Sequence, residues 1–169
     1  IKIHDYNRIL SDLNGLSSEE FLKELDQYFL IHEKGETSYF PSQKFHISMY
    51  LDGKFYSLHV KHDLRSTEMS LDNLDHHLLD KYIFKNILKI ENSDSSEKIS
   101  YAKGTSNIQG INYLKEKIDN GEGKVGFGIY PVSFNDMIKI SDLKLSMPPK
   151  CTFIEPKLVT ALLMYDMKP

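Results

Sequence analysis

The chain has 169 residues, of which 40% are apolar and 27% charged, with a formal net charge of −3. That length suffices for one domain with its own core, and the slight acidity excludes a global attraction to nucleic acid or to an anionic membrane. A single cysteine, Cys151, excludes an internal disulfide and a cysteine-built zinc site, and with only Arg8 and Arg65 as arginines, bidentate phosphate readers are scarce.

In chain order, Ser17-Ser18-Glu19-Glu20 reads as a capping box. Phe21, Leu22, Leu25 and Phe29 follow it at helical spacing. Residues 35–43 read as a polar loop. Residues 45–51 and 54–60 read as two strands around Asp52-Gly53, a turn whose two positions both need positive φ. The two-residue turn sets the register. Leu51 faces Lys54, Met49 faces Tyr56, Ile47 faces Leu58 and Phe45 faces Val60 on one side; Tyr50–Phe55, Ser48–Ser57 and His46–His59 lie on the other.

Residues 72–88 read as the longest helix, with Leu74, Leu78, Tyr82 and Leu88 inward. A short strand at 98–102 and a helix at 108–119, stopped by Asn120-Gly121, come next. Residues 124–130 alternate Val125, Phe127 and Ile129 with glycines, which gives a strand with one flat face. Ser133, with Asp136 three residues on, caps a short helix, and 158–167 reads as a closing strand. No repeat or domain boundary is visible. The expectation is one α+β domain over residues 1–169, with a mixed sheet that includes the 45–60 hairpin and carries packed helices. Glycine-faced and histidine-bearing strands would leave one sheet face partly open.

Several chemical patterns fail on context. Gly121-Glu122-Gly123-Lys124-Val125-Gly126 has the form of a dinucleotide loop, but it follows a helix and opens a strand, the reverse of what that loop requires. His46 and His59 face each other across the ladder and form a polar-face pair; no third ligand stands at fixed spacing, so no metal site is expected. Cys151 lacks the base and orienting group that a thiol nucleophile needs. The longest apolar run, residues 158–165, is too short to span a bilayer. A cytoplasmic location is the expectation.

The most distinctive stretch is Met147-Pro148-Pro149-Lys150-Cys151-Thr152-Phe153-Ile154-Glu155-Pro156-Lys157-Leu158. Its prolines fix φ and push the preceding residues toward extended geometry. The result is a stiff loop that aims Lys150 and Lys157. Two ammonium groups and the Thr152 hydroxyl suit an anionic ligand, and Arg8 and Asn7 join them if the N-terminal segment packs nearby. The competing reading is a rigid crossover with solvated lysines.

The same stretch resembles the C-terminal hallmark of the family known as domain of unknown function 1015, where the pattern reads Met-Pro-Pro-Lys-Ser-Thr followed by Pro-Lys-Leu. His4-Asp5-Tyr6-Asn7-Arg8 resembles that family's Tyr-Asn-Arg segment, residues 46–58 are similar to its hairpin, and Gly126-Phe127-Gly128-Ile129-Tyr130-Pro131 is similar to its last strand before a helix. Cys151 stands where the family usually has Ser, and Val159-Thr160-Ala161 replaces Arg-Ser-Gly. The resemblance implies that this chain is the C-terminal portion of a longer protein. The missing N-terminal domain would then be its partner and would carry a Gly-His-His-Arg phosphate motif that is absent here. It further implies a small-molecule phosphotransferase or phosphohydrolase, with serine or phosphoserine preferred as substrate. ATP or ADP with Mg would serve the full-length protein; no cofactor is expected within this chain, which would be inactive alone. A small anionic metabolite is the expected ligand. Neither nucleic acid nor membrane is an expected partner, and a homodimer is an open alternative. The alternative function is a non-catalytic regulatory or interaction module that docks on the missing part.

Overall fold

The structure, a computed structural model, describes residues 2–66, 68 and 70–156. Strands β1 (Lys2–His4) and β2 (Tyr6–Leu10) come first, followed by helix α1 (Ser18–Leu25) and strands β3 (Phe29–Gly35), β4 (His46–Leu51) and β5 (Lys54–Val60). Helix α2 (Asp75–Leu78) continues directly into a π-helical segment, Leu79–Ile87. Strand β6 (Ile99–Lys103), helix α3 (Ile108–Asp119), strand β7 (Val125–Ile129), helix α4 (Phe134–Asp142) and strand β8 (Phe153–Glu155) complete the described elements.

Six strands form one sheet in the order β3-β5-β4-β7-β2-β6, and β1 pairs separately with β8. Every ladder is antiparallel. The sequence order suggested a mixed sheet, because helices join several strands. Here the helical connections skip a neighbour: β2 lies between β6 and β7, so the two strands joined by α3 run the same way without pairing. The α+β class, the packed helices and the hairpin hold.

The hairpin has the expected register at every pair from Leu51↔Lys54 to His46↔His59. Asp52 and Gly53 adopt φ of 48° and 81°, as the tight turn requires. Both capping boxes, at Ser17 with Glu20 and at Ser133 with Asp136, are closed.

Two expectations change. Phe29 does not extend α1; the helix stops at Leu25, and Phe29 opens β3, paired to Val60 at the start of an edge strand. The predicted helix over 72–88 is instead a 3₁₀ turn (Leu71–Asn73), one α turn and then the π segment, within which the Leu88 N–H reaches the Ile83 carbonyl five residues back. Buried residues fall at Leu79, Tyr82, Ile83, Phe84, Ile87 and Leu88, so most of the segment's apolar side chains are turned inward. The predicted strand at 158–167 lies outside the described residues.

One face of the sheet carries the main core, where Leu10, Ile47, Met49, Leu58 and Phe127 pack against Phe21 and Leu25 of α1 and Phe84 of the π segment. The opposite face meets α3 through Ile9, Tyr50 and Phe55 against Ile111 and Leu114.

Candidate functional site

The proline-rich loop is delivered by the β1–β8 ribbon. Glu155 is gripped by Lys103 at 2.6 Å and by His4 at 3.2 Å. The Lys103 ammonium also sits 3.9 Å from the centre of the Phe153 ring, which is nearly perpendicular to Tyr6, with 6.0 Å between ring centres. These contacts fix the end of the loop. Just before it, Lys150 takes a left-handed φ of 53° and stands exposed, 6.0 Å from the centre of the Tyr6 ring. Cys151 turns inward; burial pushes its thiol pKa up, against the pull of the Arg8 charge. Thr152, half-buried, is a hydrogen-bond partner of that thiol.

Arg8 is the other half of the site. Alternation along β2 turns it to the same face as Tyr6 and Leu10, opposite Tyr101 of β6 and Phe127 of β7. It is 2% exposed. Its guanidinium lies 5.3 Å from the Tyr101 ring centre and donates one hydrogen bond, to the Tyr6 carbonyl. Among the described residues no carboxylate comes within ion-pair distance of it. Burial lowers its pKa; the fields of Asp80, Tyr101, Cys151 and Asp5 oppose that. His76 adjoins it from α2. That imidazole is fully buried, and among the described residues neither ring nitrogen has a hydrogen-bond partner. Burial first and the Arg8 charge second push its pKa well below the usual range, so it is neutral.

Arg8 and the Lys150 loop thus share two neighbours: Arg8 donates to the Tyr6 carbonyl while Lys150 lies near the Tyr6 ring, and the Cys151 thiol feels both the Arg8 charge and Thr152. Asn7 does not share their side. As the neighbour of Arg8 on β2 it faces α3, where its amide donates to the Gly110 carbonyl at 3.1 Å and its own oxygen has no partner. Lys157 lies outside the described residues.

His46 and His59 are stacked at 3.7 Å and 10°, and His32 of β3 joins them at 4.8 Å. Burial lowers the pKa of both, that of His59 to about 4 with the His46 charge as the next cause. They are therefore neutral rings at pH 7. No group of three metal-binding side chains occurs among the described residues. His32 escaped sequence reasoning because β3 did. Asp80, half-buried, escaped it because a lone carboxylate in a helical stretch carries no spacing signal.

No helix of the described residues is long and apolar enough to cross a membrane. No curated protein matches the chain. Among solved structures, two variants of a free serine kinase in complex with AMP are similar over 90% of this chain and 53% of theirs, at 14% and 11% identity and a TM-score of 0.46 each. A conserved hypothetical protein from Pyrococcus furiosus is similar over 90% of this chain and 55% of its own, at 10% identity and a TM-score of 0.45. The chain therefore spans about half the length of these structures. The model of the family described as "Protein of unknown function (DUF1015)" matches residues 1–77, and this match supports membership of the DUF1015 family.

Proposed function

We propose that this chain supplies the anion-binding part of a small-molecule phosphotransferase or phosphohydrolase, with a phosphate group held between Arg8 and the Lys150 loop. The observation that carries this reading is Arg8, a guanidinium 2% exposed with no carboxylate at ion-pair distance among the described residues. A buried cation without a counter-ion is costly, and such a group is retained where it serves a site. Its planar donors match a phosphate in two-point fashion. Lys150 adds a second positive charge from the exposed loop, and Thr152 an orienting hydroxyl. These groups supply electrostatic stabilisation, and the nucleophile comes from elsewhere. The family resemblance makes serine or phosphoserine the preferred substrate, with ATP or ADP and Mg in the full-length protein.

Phosphorus NMR of the full-length protein with ATP and L-serine tests the reading. The expected result is a phosphoserine resonance growing with ADP, and a turnover lowered about tenfold or more by Lys150→Ala. Silence with both serine and phosphoserine would contradict it.

A second reading, a docking module, is favoured by one observation. Phe134, Ile138, Leu143 and Leu145 on and just after α4 are 63%, 44%, 48% and 42% exposed. Clustered apolar exposure of this kind marks interaction surfaces. If the chain alone is inert but tightens substrate binding when the remainder of the protein is added, and Lys150→Ala changes nothing, the docking reading replaces the first.

A further inference from the structure

A cleft of about 430 Å³ opens between the π-helical segment and the turn at residues 90–94. Its size falls in the range of small-molecule sites, roughly 300–1,000 Å³. The π turn builds one wall, which Asp80, Lys81, Phe84 and Lys85 all line; the turn at 90–94 builds the other.

The charges of this cleft are unevenly matched. Lys81 is paired with Asp72 at 3.1 Å, and His77 with the same carboxylate at 3.2 Å. Lys85 is paired with Glu91 at 3.5 Å. The cations are therefore engaged, and Asp80 and Asp94 are left without an ion pair among the described residues. Burial is the main cause that raises the Asp80 pKa, and the Asp94 charge adds to it. Arg8 and a hydrogen bond from Ser93 oppose this only in part.

We propose that this cleft binds a small primary-ammonium compound, with its ammonium between the carboxylates of Asp80 and Asp94 and its body along Ile90. Three donors on one ammonium can serve both carboxylates at once. A bare metal ion fits less well, because hard cations take six or more oxygens and no group of three metal-binding side chains is present among the described residues. Ile90, half-buried, gives the carbon skeleton an apolar wall. The inference goes beyond the anion-binding reading and does not depend on it.

Amide ¹H–¹⁵N spectra of the chain, titrated with ethanolamine, test the proposal. Glycolate, of similar size but without the ammonium, and calcium serve as controls. The expected result is saturable shifts at Lys81, Ser93 and Asp94 with ethanolamine, none with glycolate, and affinity weakened at least about tenfold, or 1.4 kcal/mol, by Asp94→Asn. Asp94 is exposed on a turn, so the variant keeps its fold, which unchanged shifts elsewhere will verify. Asp80→Asn should weaken binding as well. Absence of saturable shifts, equal affinity in Asp94→Asn, or equal effects from calcium at the same residues would overturn it.

Discussion

Phe45 enters β4 with a φ of 67°, a strained value for an aromatic residue, and its N–H donates to Asp75 Oδ1 at 2.7 Å. The other oxygen of Asp75 is buried without a partner. Burial pushes its pKa up to about 7, against the Phe45 hydrogen bond and the Lys44 charge. The folded-state value is thus raised above the unfolded one. The protonated carboxyl favours the folded state, so its stabilising effect is complete below pH ~4 and is lost as pH rises toward 7. For a buried carboxyl raised this far above its ordinary range, the loss is on the order of 4 kcal/mol. Asp75→Asn keeps an acceptor for Phe45 and removes the charge. Denaturant titrations at pH 5 and pH 8 should show wild type losing markedly more stability than the variant over that interval. Equal losses would mean that Asp75 ionises freely. Nothing in the sequence marks Asp75 as unusual, since its burial depends on how Leu74 and the Lys44–Asp136 pair close over it.

At the scale of elements, the flat face of β7 decides how α3 docks. A Cβ built on Gly128 would lie 2.1 Å from Ile111 Cδ1 and 3.4 Å from Ser48 Cβ, and one on Gly126 would lie 2.8 Å from Leu114 Cδ1. The two glycines leave the room that Ile111 and Leu114 fill. Gly128→Val forces the helix outward, at an expected cost of ~1–3 kcal/mol in chemical denaturation. A neutral result would mean that α3 is loosely seated. These glycines were legible in sequence, as was the hairpin, because strict alternation and the Asp52-Gly53 turn admit one register. The edge strand β3 was not. Phe29-Leu30-Ile31 continues the apolar spacing of α1 and lacks alternation; only its pairing with β5 makes it a strand. The π segment was equally hidden, since its apolar spacing reads as an ordinary helix and only the backbone hydrogen bond from Leu88 to Ile83 shows the wider turn.

At the scale of the whole molecule, the fold brings Arg8 of the second strand beneath a loop near the far end of the described chain. The sequence suggested Lys150, Thr152 and Arg8 as members of one site; the β1–β8 ribbon that carries the Lys150 loop toward Tyr6 has three-residue strands too short to read locally. It also suggested Asn7, yet strand alternation sends neighbours to opposite faces, and Asn7 serves the α3 side. The burial of His76 within the field of Arg8 depends on packing two elements 68 positions apart in numbering. The central claim is that Arg8 and Lys150 together hold an anion. Calorimetric titration of the chain with inorganic phosphate, beside Lys150→Ala and the α4 surface control Lys139→Ala, tests it most directly. Saturable binding weakened about tenfold in Lys150→Ala and unchanged in Lys139→Ala is the predicted result. No saturable binding, or equal binding in all three proteins, would contradict it.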